Sequence, residues 1–133
     1  MKHLRIAAAI ITMFLLSTFA VRAQAPKPIE IQAGHDNTFV VTGQKKPVIT
    51  VKAGQVVKLR VIGKKGTEAA KDGTVHSLTI NSLKDQGWDL PVKEGVNEYT
   101  VVAPSTPGEY TIECTVKCGD GHDDMKMKLI VTK

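Results

Sequence analysis

From residue 29 onward, apolar and polar positions alternate in short runs, the period expected of strands with one buried face. Ile49, Val51 and Ala53 are separated by polar neighbours, as are Val57, Leu59 and Val61. Runs at 29–31, 38–42, 48–52 and 56–62 are rich in β-branched residues and bounded by Gly34, Gly43, Pro47, Gly54 and Gly63, so each predicts a strand. Another is predicted over 75–80, with Val75, Ser77 and Thr79 on one face and His76, Leu78 and Ile80 on the other. The turn Pro104-Ser105-Thr106-Pro107 separates strands at 96–103 and 108–114. A last strand at 125–132 places Met125, Met127, Leu129 and Val131 on one face, which makes Met127 a core residue. Between these runs, 63–73 is an exposed loop with a single helical turn at 68–71. Residues 81–94 form a longer connection in which Trp88 covers apolar surface. Seven to eight short strands with regular turns and almost no helix predict an all-β protein, a Greek-key β-sandwich.

Residues 1–23 depart from this pattern and read as a signal peptide. Lys2 and Arg5 precede an uncharged run from Ile6 to Ala20, and Val21-Arg22-Ala23 suits a signal peptidase cutting before Gln24. The run is short for a membrane span, which needs about 20 residues. The expectation is a periplasmic protein, monomeric and without stable membrane insertion, whose single domain is 24–133. An uncleaved N-terminal anchor is the lesser alternative.

Charge adds little once the leader is set aside. Taking Lys2, Arg5 and Arg22 from the 18 basic residues leaves 15 against 13 acidic ones. So small and evenly spread an excess argues for neither nucleic acid nor an anionic membrane as partner.

Chemistry is concentrated in Cys114-Thr115-Val116-Lys117-Cys118-Gly119-Asp120-Gly121-His122-Asp123-Asp124-Met125, which holds both cysteines in the order C-x3-C-x3-H-x2-M. Thiolate, imidazole and thioether ligands at this density suit copper better than any hard cation. A helix would align the four residues on one face, but Gly119 and Gly121 would each cost about 1 kcal/mol there. A continuous strand would hold the two sulfurs roughly 13 Å apart. The chain is therefore expected to leave the sheet after Cys114 and curl back. In an exported protein two cysteines ordinarily suggest a disulfide, but this one would close only a small loop and stabilise little. It is retained as a state of the protein without metal.

A further ligand, to close the site, is expected from another strand. His76 shares its face with Leu78 and Ile80, where a lone histidine is usually a satisfied core residue. The cluster of two Cys, a His and a Met makes it the available imidazole. His35 is expected to be a surface residue.

The runs 48–55, 75–78 and 107–114 resemble the cupredoxin family, and the resemblance spans nearly all of 28–133. A mononuclear blue-copper site of that family needs two His, one Cys and a weak axial Met. His76, Cys114, His122 and Met125 supply that set and leave Cys118 unexplained. The full loop is similar to the CuA domain of cytochrome c oxidase subunit II and of nitrous oxide reductase, including the Cys118-Gly119 pair of the oxidase version. That resemblance implies two coppers bridged by Cys114 and Cys118, with His76 and His122 each terminating one. Met125 and the backbone carbonyl of Val116 would be weak ligands. Val116 stands where the family carries Glu, so only its carbonyl transfers. Asp120, Asp123 and Asp124 also make the loop more acidic than docking within a large oxidase suggests.

The function implied is single-electron relay between periplasmic redox partners such as a cytochrome, with His122 at the exposed edge. A copper-binding or copper-delivery protein using the same ligands is the second expectation, and a closed structural zinc site that leaves Met125 idle the third. No nucleophile and base pair points to an enzyme, and accessory service to an oxidase or reductase is compatible with either copper role.

Overall fold

The computed structural model describes residues 25–133. The proposed signal peptide and its cleavage point therefore lie outside the described residues. Nine strands follow in order: β1 (Ile29–Ala33), β2 (Phe39–Val41), β3 (Val48–Lys52), β4 (Val56–Gly63), β5 (Thr74–Thr79), β6 (Asp89–Lys93), β7 (Gly95–Val102), β8 (Gly108–Glu113) and β9 (Lys126–Thr132). One sheet has the order β2-β1-β4-β7 and the other β3-β9-β8-β5-β6. The β1/β4 and β3/β9 pairs are parallel, and the remaining pairs are antiparallel.

Alternation sets which residues face inward. Ile31, Val57, Leu59 and Val61 from one sheet and Ile49, Val51, Ile112 and Leu129 from the other are buried in one core, while Thr50, Lys58 and Lys128 between them are exposed. Burying each large aliphatic side chain contributes about 1.5–3 kcal/mol. Strand β5 departs from the alternation, since all six of its residues are buried. It lies between β8 and β6, and its polar members Thr74, His76, Ser77 and Thr79 are covered as completely as its apolar ones. Buried polar groups need partners, and those partners define the functional end of the sandwich.

Strand β6, which the sequence does not lead us to expect, lies within the segment expected to be a connection. Residues 81–94 contain a short 3-10 helix (Asn81–Gln86), a left-handed Gly87 (φ 88°) and then β6. Pro91 sits at the centre of β6, opposite Ser77. A proline there argues against a central strand, but β6 is an edge strand, where the missing N–H loses no ladder bond. Trp88 is buried, and its indole Nε1 donates to the Val102 carbonyl at 2.9 Å, tying this segment to β7 of the opposite sheet. Asn97 completes the tie, donating from Nδ2 to the Lys93 carbonyl at 2.8 Å and accepting from the Lys93 amide at 3.0 Å.

The helical turn expected at 68–71 does not form. Glu68 instead gives its amide to the Cys118 carbonyl at 3.3 Å, and the Gly73 amide closes a turn onto Ala70 at 3.0 Å. A long-range contact to the cysteine loop has displaced the local preference.

Candidate metal centre

Strand β8 ends at Glu113, which pairs with Thr79 of β5, and the chain leaves the sheet at Cys114. The loop that follows is tied at its root, because the Cys114 amide donates to the Met125 carbonyl at 3.1 Å. Its first residues are pinned to β5: the Thr115 amide donates to Ser77 Oγ at 2.9 Å, and the two hydroxyls lie 2.9 Å apart. Thr79 extends the network by donating to Asp89 at 2.8 Å. The buried hydroxyls of β5 thus fix where Cys114 emerges. Farther along, Gly119 (φ 118°) takes a backbone conformation that disfavours any side chain, and a Cβ there would collide with Thr67. After Gly121, a one-turn 3-10 helix (His122–Asp124) returns the chain to β9.

This path brings together all six residues singled out in the sequence. Cys114 Sγ lies 3.9 Å from Cys118 Sγ, 4.0 Å from His76 Nδ1 and 3.2 Å from the Val116 carbonyl. Cys118 Sγ lies 3.5 Å from His122 Nδ1 and 3.9 Å from Met125 Sδ. The donor atoms of His76, Cys114 and Cys118 all fall within 4.8 Å of one another. His122 reaches the group from the Cys118 side and also lines a shallow surface depression with Lys117, Asp120 and Asp123. Cys118, Met125 and His76 are fully buried. His35 is exposed.

The protonation pattern follows from the partners. His76 Nε2 lies 2.8 Å from the Lys64 carbonyl, which only accepts, so the ring proton sits on Nε2 and the Nδ1 lone pair faces the sulfurs. Such an outer hydrogen bond fixes tautomer and ring orientation at metal-ligating histidines. Burial holds the His76 pKa below the ordinary imidazole value, against hydrogen bonding with the Lys64 and Gly34 backbone. Burial, and next the neighbouring Cys114, push the Cys118 thiol up to about 12. A metal taking this thiolate must displace its proton.

The donor set fits a soft or borderline ion: two free thiols, two imidazoles, a thioether and a carbonyl. The 3.9 Å sulfur separation is far longer than a disulfide bond. It is less than twice a metal–thiolate bond of about 2.3 Å, so a single ion or a pair can touch both sulfurs.

Sequence reasoning missed the residues that hold these donors. Ser77, Thr115, the Lys64 carbonyl and Asn37, whose Nδ2 donates to the Asp120 carbonyl, support the loop from outside. The hydroxyls of β5 carried a signal, since Thr74, Ser77 and Thr79, in a strand buried on both faces, must bond to something. Nothing local marks Lys64 or Asn37.

No protein-family model matches the sequence, and neither does any curated protein. Similar solved structures include a chain of a heme-copper terminal oxidase dimer, with TM-score 0.55, 22% identity and 78% of this chain covered. This chain spans only 60% of the oxidase chain. Auracyanin A, a blue copper protein from Chloroflexus aurantiacus, matches along its full length, with TM-score 0.51, 22% identity and 81% of this chain covered. A copper-containing nitrite reductase from Thermus scotoductus matches over 24% of its length and 86% of this chain, with TM-score 0.52 and 20% identity. At these identities it is the fold that is shared: the chain is a cupredoxin-like β-sandwich with a His/Cys/Cys group at one end.

Proposed function

We propose that this protein is an exported copper protein that relays single electrons through a CuA-like dinuclear centre. Cys114 and Cys118 would bridge the coppers, with His76 and His122 at opposite ends and Met125 and the Val116 carbonyl as weak ligands. Bound copper would supply a reversible one-electron change. The chain's own part is to hold the donors still: His76 through the Lys64 carbonyl, Cys114 through the β5 hydroxyls, and Cys118 and Met125 by burial. Similarity in fold to oxidase, auracyanin and nitrite reductase domains supports copper as the metal and electron transfer as the role.

One observation favours the pair over a mononuclear blue site. His122 Nδ1 and Met125 Sδ gather around Cys118, at 3.5 and 3.9 Å, while His76 and the Val116 carbonyl gather around Cys114. A single site on Cys114 alone would leave the contacts of Cys118 without purpose. Copper delivery by the same ligands is the second reading. It is supported by the exposed side of the loop, where His122 lines the surface.

The proposed location is the periplasm. Among the described residues no helix is long and apolar enough to cross a membrane. The proposed partner is a basic periplasmic cytochrome meeting the exposed Asp120, Asp123 and Asp124 beside His122. Replacing Cys118 with Ser tests the bridge, because it removes one sulfur at nearly constant volume. Copper content per chain should halve and the absorption spectrum should change to that of a one-copper species. Equal copper and an unchanged spectrum would exclude the bridge. Reversible voltammetry and fast exchange with a cytochrome would mark a carrier, whereas loss of copper to a micromolar chelator would mark delivery.

A further inference from the structure

The distal half of the cysteine loop, residues 118–122, is fastened by a residue far away in sequence. We propose that Asn37, in the turn between β1 and β2, is the positioning residue that holds this half of the loop and so sets where His122 stands at the metal centre. In what it says of the metal centre, the proposal rests on the functional reading above.

Asn37 is buried, and among the described residues it is the only non-glycine with positive φ, at 58°. Asparagine tolerates that left-handed conformation better than most residues. Its Nδ2 donates to the Asp120 carbonyl, two residues before His122. From there the His122 amide reaches back to the Gly119 carbonyl at 3.2 Å, and the Asp124 amide to the Gly121 carbonyl at 3.1 Å. Fixing the Asp120 carbonyl therefore fixes the turn that aims the imidazole.

Two glycines make room for the amide. A Cβ on Gly66 would lie 2.6 Å from Asn37 Oδ1, and one on Gly119 would lie 3.4 Å from Nδ2. The slot is shaped for one planar amide and uses only its donor half, for Oδ1 is buried without a hydrogen-bond partner. An orphaned buried acceptor lowers stability. Glycine would serve this φ without a buried orphan acceptor, so what asparagine adds here is the Nδ2 donor. The opposite half of the loop needs no such device, because Ser77 of β5 already holds Thr115.

Two variants separate positioning from stability. Asn37→Gly keeps the left-handed backbone and loses the donor. Asn37→Asp keeps shape and backbone, but its ionised carboxylate faces the Asp120 carbonyl and cannot donate. Protonated at low pH, the same carboxyl can. Amide exchange of His122 and Asp124, measured without copper and expressed as protection, should fall about fivefold in both variants at neutral pH, as expected for one lost hydrogen bond. In Asn37→Asp it should return toward the parent value as pH falls through the carboxyl pKa, and in Asn37→Gly it should not. With copper bound, the His122 nitrogen hyperfine coupling should shift in both variants at neutral pH.

Unchanged protection and coupling, with only a lower melting temperature, would reduce Asn37 to a packing residue and overturn the proposal. Should Asn37→Asp fail to fold, protection and coupling in Asn37→Gly decide between the same two outcomes. A parent protein that takes up no copper refutes the functional reading, and the exchange result, obtained without metal, still reports whether Asn37 holds the turn.

Discussion

His76 and His122 approach the same two sulfurs from supports of opposite kinds. His76 stands in a strand buried on both faces, with its outer nitrogen held 2.8 Å from the Lys64 carbonyl. His122 stands on a single 3-10 turn, half-exposed, held by backbone bonds within the loop and by the Asn37 clasp. On the proposed reading, the first arrangement would keep the geometry constant between oxidation states, as an electron carrier needs. The second places an imidazole at the surface, where on the same reading a redox partner would approach. The fold therefore divides rigidity and access between two ends of one site.

Removing each imidazole should expose this contrast most strongly. His76→Ala leaves a cavity and a buried carbonyl without its donor, and should cost the protein without metal about 2 kcal/mol or more. His122→Ala should cost below about 1 kcal/mol, as expected for a half-exposed position. Denaturant unfolding of both variants without copper checks the difference. Equal costs would mean that the loop is as integral to the core as β5.

A smaller effect is expected from pH. The folded pKa of His76 is depressed below the unfolded value of 6.5, so the unfolded chain gains the proton first. Its contribution to stability is complete above about pH 6.5 and is lost as pH falls below that value, by at most about 1.4 kcal/mol per pH unit. Chemical denaturation between pH 7 and pH 5 reads this, and a flat profile would place the neutral ring outside the core. Copper affinity should also rise with pH, because the Cys118 thiol, pushed up to about 12, keeps its proton until metal displaces it. Chelator competition at several pH values checks this, and an affinity independent of pH would contradict it.

The smallest change is expected at the rim. Lys117 and Glu68 are 3.6 Å apart and both largely exposed. Lys117→Ala should alter stability by less than about 0.5 kcal/mol. A larger loss in thermal unfolding would mean that this pair, rather than Asn37 and the Glu68 amide, fastens the distal loop.

The strands that frame the core are legible in the sequence because burial repeats every second residue, as in Val57, Leu59 and Val61. The candidate metal-binding stretch is legible because its spacing is local and its glycines exclude a helix. Strand β6 is hidden by Pro91, whose tolerance depends on lying at a sheet edge, a property of the assembled sheet. The segment at 68–71 misleads because Glu68 answers to Cys118, fifty residues away along the chain. Asn37 and Lys64 are invisible for the same reason: their roles consist of contacts across the fold, and their neighbours in sequence say nothing about them.

Whether two sulfurs bridge two metals is decided by the copper content of the loaded protein, read together with the electron spin resonance spectrum of its oxidised form. Two coppers per chain are expected, with a hyperfine pattern from one unpaired electron shared by two equivalent copper nuclei. One copper per chain with a pattern from a single nucleus would contradict the dinuclear centre.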